Sequence, residues 1–261
     1  MNDRPEFEHV LYEVSERIAT ITLNRPEVLN ACDPTTHAEV QRSIELAESD
    51  DDVRVIIIAG AGRAFCSGSD LRIVGKLTGV AARRYINLDF STKNCVATCG
   101  KPVIAALHGH VAGGGFELAL ACDIRLVADN VLFSLPEILL GTIPGSGGLQ
   151  RLPQIVGMGI AKEWAFTGRK VDAHEAHRTG LANHVYALDR LGAEARAFAK
   201  LLTERTSLSL ALAKVALDPA PPAADGMVGV YHMLASQACH DDPTYAEQAS
   251  KYGRATKKNG R

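Results

Sequence analysis

The chain has 261 residues, 46% of them hydrophobic and 22% charged, with a formal net charge of -2 at pH 7. That length can bury a substantial core as one large domain or two small ones, and the balanced charge lacks the basic excess of a dedicated nucleic-acid binder, which points to a small-molecule or protein partner. No apolar run is long enough to span a bilayer, and the N-terminal MNDRPEFEHV has neither a secretory pattern nor the acid-poor look of a transit peptide, so a cytoplasmic protein is expected.

IATITL (18–23) mixes β-branched and apolar residues and ends at Asn-Arg-Pro, so it reads as a strand. Asp33-Pro34 supplies an N-cap and a first-turn proline for a helix through about Ser49. VRVIIIAG (53–60) is a continuous apolar run, the pattern of a strand covered on both faces. It leads into Gly60-x-Gly62 like a dinucleotide fingerprint. Phe65 occupies the third glycine position, however, and no acidic residue ends a second strand about twenty positions on, which argues against a nicotinamide site. A helix is predicted to end at VATCGKP, with Cys95 and Cys99 on one face. VIAAL (103–107) and DIRLVA (123–128) are further strands, separated by a glycine run and a helix carrying Glu117. From Gly157 onward the chain reads as mostly helical, near 158–167, 172–179, 188–204, 206–217 and 223–238. Alternating strand and helix followed by several helices predicts an α/β core with a helical C-terminal region.

Several motifs have bland readings. The six cysteines (Cys32, Cys66, Cys95, Cys99, Cys122, Cys239) form no CxxC pair and read as reduced, mostly buried thiols. His174, Glu175 and His177 miss the zincin spacing by one residue and suit a short surface helix capped by Asp172. His108 and His110 lack a third ligand, so no metal is expected there. Ser146 lies in PGSGG, outside the nucleophile-elbow pattern.

The strongest chemical signal is a pair of glutamates 20 residues apart, Glu117 in HVAGGGFELALACDI and Glu137 in FSLPEILLGTIPGSGG. Both have apolar neighbours, where an unpaired carboxylate is costly unless it is hydrogen-bonded, partly protonated or used. Acid/base chemistry on a small substrate is one reading; capping of each residue's own helix is the other.

VIAALHGHVAGGGFELALACDI followed by PEILLGTIPGSGGLQRL resembles the signature of the crotonase superfamily, and the second stretch most resembles its enoyl-CoA hydratases. The likeness starts near LNRPEVLNA (23–31), continues through GRAFCSGSDL (62–71) and runs to TGRKVDAHEAHRTGLANHV (167–185), about two thirds of the chain. It implies a spiral of ββα units over residues 1–195 and a C-terminal helical region, 196–261, serving assembly into a trimer or dimer of trimers. It also implies addition of water across the C2=C3 double bond of an enoyl-CoA thioester, with no cofactor because coenzyme A is part of the substrate.

By the same resemblance the backbone N–H groups of Ser69 and Gly114 form an oxyanion hole. Glu117 positions and activates water, while Glu137 exchanges the proton at C2. The coenzyme A arm lies along Ser69, Asp70, Leu71 and Arg72, with Arg25 and the backbone near Val28 as further contacts. Residues 73–98, Leu140, Ile143 and Trp164 would line the acyl tail as a mostly apolar wall, suiting a hydrophobic or ring-bearing acyl group. Ser69 stands where the pattern usually has alanine. The C-terminal CHDDPTYAEQASKYGRATKKNGR departs from the hydratase ending, leaving Lys251, Lys257 and Lys258 as substitute nucleotide contacts. The scaffold equally supports an enoyl-CoA isomerase or another acyl-CoA reaction, and some crotonase relatives bind RNA. The balanced charge and 5% aromatic content oppose RNA binding, and both glutamates oppose a silent assembly role.

Overall fold

The computed structural model describes residues 6–217 together with Met233, Leu234, Gln237, Ala238, Asp241, Ala246, Ala249 and Ser250. Cys239, Lys251, Lys257, Lys258 and most of the helix expected at 223–238 lie outside the described residues.

Strand β1 (Val10–Ser15) pairs antiparallel with β2 (Ile18–Leu23). Glu16 and Arg17 close the hairpin, both with positive φ. That is the conformation a two-residue hairpin needs to match strand twist. β2 then runs parallel to β3 (Val55–Gly60), the crossover being helix α1 (Pro34–Ser49). α1 starts as the sequence predicts, with the Asp33 carboxylate accepting from the N–H of Thr36 at 2.8 Å. After β3 come a single turn, α2 (Leu71–Val74), and the long α3 (Gly79–Thr98), which ends three residues before Lys101.

β4 (Val103–Leu107) and β5 (His110–Ala112) lead to α4 (Gly114–Ala121), followed by β6 (Ile124–Ala128) and β7 (Leu132–Ser134). Pro136–Leu140 forms a short 3-10 turn. Then follow α5 (Gly148–Val156), α6 (Met158–Thr167), β8 (Val171–Asp172), α7 (Ala173–Arg178), β9 (His184–Tyr186), α8 (Leu191–Thr203) and α9 (Ser207–Leu217).

The strands form two sheets. One has the order β1-β2-β3-β4-β6-β9, parallel beyond the β1–β2 hairpin; the other is β5-β7-β8. The apolar run of β3 is buried on both faces, as the sequence predicts. Ile56 and Ile58 point into the main core with Val40, Ile44 and Phe116. Val55 and Ile57 point to the other face, where Leu191, Ala195 and Ala199 of α8 cover them. α8 thus spans position 195 and packs on the sheet. No described helix is long and apolar enough to cross a membrane.

Candidate active site

Two backbone segments converge at the edge between the sheets. In the first, Cys32 pairs with Ser69 as an isolated parallel bridge: the Cys32 N–H donates to Gly68 O and the Asp70 N–H to Cys32 O, both at 2.8 Å. Those bonds occupy the groups flanking Ser69 and leave its own N–H pointing the other way. In the second, Gly114 opens α4, where first-turn N–H groups have no partner within the helix. Among the described residues neither the Ser69 nor the Gly114 N–H donates to a protein acceptor. The segments are in close contact, since a β-carbon on Gly68 would stand 2.9 Å from Ala112 O and 3.3 Å from Gly114 N. Gly68 has φ +97°, so a side chain there meets both strain and collision. Two unspent donors at a helix start suit a developing oxyanion.

Glu117 and Glu137 sit beside these donors in different states. Glu117 is buried, and it does not cap its own helix. Its Oε1 accepts from the N–H groups of Ser146 at 2.8 Å and Gly148 at 2.9 Å, at the start of α5. Burial pushes its pKa up, against the Lys93 ammonium, the two N–H bonds and Arg151. The carboxyl of Glu137 is less well served. Its Oε2 is enclosed and accepts from no described group. Burial, then the charge of Glu117, pushes its pKa to about 8. At pH 7 the acid outnumbers the carboxylate about tenfold. One group is solvated by backbone dipoles and the other holds a proton, a division suited to a base and an acid acting on one substrate.

A buried polar chain lies behind the donors. From α3, Tyr85, Asp89 and Lys93 recur at helical spacing on one buried face. Lys93 is ion-paired with Asp89 Oδ1, and the Ser146 hydroxyl donates to Asp89 Oδ2. His37 of α1 stands 3.2 Å from Asp89 and 3.1 Å from the Tyr85 oxygen, and Tyr85 donates to Cys32 O. Burial, then Lys93, holds His37 well below its ordinary pKa, so the ring is neutral. The Ser69 hydroxyl interacts with the Tyr85 phenol. A β-carbon on Gly114 would lie 3.5 Å from Lys93 Nζ, 3.6 Å from Ser69 Oγ and 3.7 Å from Asp89 Oδ2. The expected apolar wall over 73–98 therefore needs correction: the α3 face behind Gly114 is charged and hydrogen-bonding. Sequence reasoning missed Tyr85, Asp89, Lys93 and His37. Their signal was a polar residue every four positions in a helix bound to bury that face.

Asp70 caps α2, accepting from the Arg72 N–H at 3.1 Å and from Arg72 Nε at 2.8 Å. Arg25 approaches the same carboxylate at 3.4 Å. Burial pushes Asp70 up, but the two guanidiniums and the N–H outweigh it and hold the carboxyl below its usual range. Arg25 also pairs with Asp33 at 3.5 Å, so the two guanidiniums are balanced by two carboxylates, and Arg72 is the largely exposed member of the cluster. Leu71 packs with Leu140 and Ala249 next to this cluster, and Trp164 lies in the main core.

Of the motifs given bland readings, His174-Glu175-His177 and His108 are engaged away from the two glutamates. Asp172 caps α7 through the Glu175 N–H, and Glu175 pairs with Arg169. His108 bonds Gly62 O at 2.9 Å. No cluster of three His, Cys, Asp or Glu among the described residues could hold a metal. Ser146 takes part through its N–H and hydroxyl, orienting Glu117 rather than attacking a substrate.

The chain is similar to known proteins over most of its length. A family model described as enoyl-CoA hydratase/isomerase matches residues 13–226. The crotonyl-CoA hydratase of Syntrophomonas wolfei is 36% identical over 211 residues, 80% of this chain and 81% of the relative. A probable enoyl-CoA hydratase of Mycobacterium tuberculosis is 39% identical over 214 residues, 82% of each chain. The crystal structure of an enoyl-CoA hydratase/isomerase from Xanthobacter autotrophicus superposes with a TM-score of 0.87 at 34% identity, covering 96% of both chains. The fold is that of the crotonase superfamily, and the chain belongs to its enoyl-CoA hydratase/isomerase family.

Proposed function

We propose that the chain hydrates an enoyl-CoA thioester through the groups just described. The observation that carries the mechanism is the unequal pair of carboxyls beside two unspent N–H donors. The thioester oxygen sits between the N–H groups of Ser69 and Gly114, which stabilise it as negative charge develops. Glu117 takes a proton from a water while the water oxygen bonds to C3, and the π electrons move through C2 into the enolate. Glu137 then gives its proton to C2 as the thioester carbonyl re-forms. The product carries hydroxyl at C3 and hydrogen at C2, and proton exchange restores both glutamates. The chain's own residues supply every proton step, so no cofactor is invoked.

Asp70, Leu71, Arg72 and Arg25 are the contacts for the coenzyme A arm, whose phosphates suit the exposed guanidinium of Arg72. Binding energy from this remote part positions the small reacting centre. Assembly into a trimer or dimer of trimers is supported by α9, which exposes Leu208, Leu212 and Val215 along one face, an apolar stripe of the kind that marks interfaces. A cytoplasmic location and the absence of a nucleic-acid partner accord with the charge balance.

The test is hydration of crotonyl-CoA, read as loss of the conjugated enoyl absorbance, by wild type, Glu117→Gln, Glu137→Gln and the double variant. Each single change should cut turnover on the order of 10²-fold or more, with losses far from additive because the two act as a unit in one hydration. Intact turnover in Glu117→Gln with none in Glu137→Gln would favour a single-base isomerase.

A further inference from the structure

The mechanism uses neither the Lys93 ammonium nor the Ser69 hydroxyl, yet both lie beside the oxyanion-hole glycine, Lys93 from α3 and Ser69, whose hydroxyl meets the Tyr85 phenol, from the segment before α2. Lys93 is 1% exposed. Its ammonium has three N–H bonds, and among the described residues Asp89 Oδ1 is its sole hydrogen-bond acceptor. Both Asp89 oxygens are already engaged, Oδ1 by Lys93 and His37 and Oδ2 by Ser146. The largest unspent capacity at this end of the site is therefore the two remaining N–H bonds of Lys93.

The position of that capacity matters. Coenzyme A contacts belong to the Arg25–Asp70–Arg72 side, and the glutamates stand over the reacting carbons. What remains for the acyl group beyond C3 is the α3 side, where Lys93 Nζ, Ser69 Oγ and Asp89 Oδ2 lie 3.5, 3.6 and 3.7 Å from the β-carbon position of Gly114, the Asp89 charge being offset by its ion pair with Lys93. A methyl-ended chain pressed there would leave buried donors unmatched, whereas an oxygen acceptor would complete them.

On the hydratase reading above, we infer that Lys93, assisted by Ser69, selects acyl groups ending in an oxygen acceptor, a carboxylate or hydroxyl, over alkyl groups of the same length. Sites that leave polar groups waiting for a substrate oxygen discriminate far more strongly than pockets that sense one methylene. The selection acts on the acyl end and is independent of which carbon the glutamates protonate.

Calorimetric titration with three saturated acyl-CoA thioesters of equal length, ending in carboxylate, hydroxyl or methyl, reads this preference without turnover. Wild type should bind the two oxygen-ended thioesters at least about tenfold more tightly than the methyl-ended one. Lys93→Met should remove most of that ratio, whereas a purely structural role for Lys93 would weaken all three alike. Equal or tighter binding of the methyl-ended thioester by wild type would overturn the inference, as would a ratio unchanged in a folded Lys93→Met. Because Lys93→Met strands Asp89, Lys93→Met/Asp89→Leu is the second variant, with the same expectation. Failure of the hydratase reading is separate: it would show as no hydration of any enoyl thioester while the binding preference persisted.

Discussion

Glu137 Oε1 stands 3.0 Å from the position a β-carbon on Gly113 would take, so the glycine turn and the acid are one steric unit. Gly113 also has φ +53° and ψ -127°, a conformation open essentially to glycine. Gly113→Ala should cost about 1–3 kcal/mol of stability through backbone strain. It should also displace the Glu137 carboxyl and lower turnover on the order of 10²-fold, because small misplacements of a reacting group are expensive. Denaturant melts and the hydration assay read the two effects; a variant with full turnover would separate the turn from the acid.

Hydration should fall as pH rises through about 8. Burial and the Glu117 charge raise Glu137 to about that value, and the group must be protonated to supply C2. The acidic limb belongs to Glu117, which must be ionised to accept a proton from water. Because the carboxyls interact, both limbs describe the pair. A turnover profile flat from neutrality to well above pH 8 would contradict this assignment.

The same shift predicts how stability varies with pH. Below about 4.5 Glu137 is protonated folded and unfolded alike. Between 4.5 and about 8 the unfolded chain releases the proton and the folded chain keeps it, so stability falls as pH rises. Above about 8 the full penalty is present, on the order of a few kcal/mol for a raised carboxyl and less to the extent that water reaches the residue. Glu137→Gln should therefore melt at higher temperature than wild type, by a margin that grows across that window and then levels off. Thermal melts at stepped pH check the slope.

The proposed assembly can be tested at one helix. Leu212 and Val215 of α9 are 60% and 73% exposed, adjacent on one face. Leu212→Glu/Val215→Glu should shift light-scattering mass from trimer or hexamer toward monomer while far-ultraviolet circular dichroism stays near wild type. A wild-type monomer at micromolar concentration would refute the assembly.

The elements legible in the sequence were those whose local chemistry suffices. Asp33-Pro34 marks the start of α1, and the apolar run of β3 announces burial on two faces. Strands β5, β7, β8 and β9, of two or three residues, carry no period; they exist because partners such as Phe133 opposite Val111 are brought to them. The glutamates were legible as a pair, but the donors that hold Glu117 were not. They come from the backbone of Ser146 and Gly148, about thirty positions away, and an N–H has no letter in the sequence. Lys93 was hidden for the opposite reason: a lysine on a long helix reads as solvated until the helix face is known.

The two oxyanion-hole segments are laced together by main-chain bonds. The Ala112 N–H donates to Cys66 O at 3.0 Å, the Cys66 N–H to His110 O at 3.1 Å, and Cys32 ties down both neighbours of Ser69. The spacing of the two donors is thus set by peptide geometry and is indifferent to most side chains nearby. Selection of the acyl group, by contrast, rests on side chains of a separate helix. A lineage carrying this architecture could exchange Tyr85, Asp89 or Lys93 and acquire a new substrate while keeping the main-chain donors that hold the thioester oxygen.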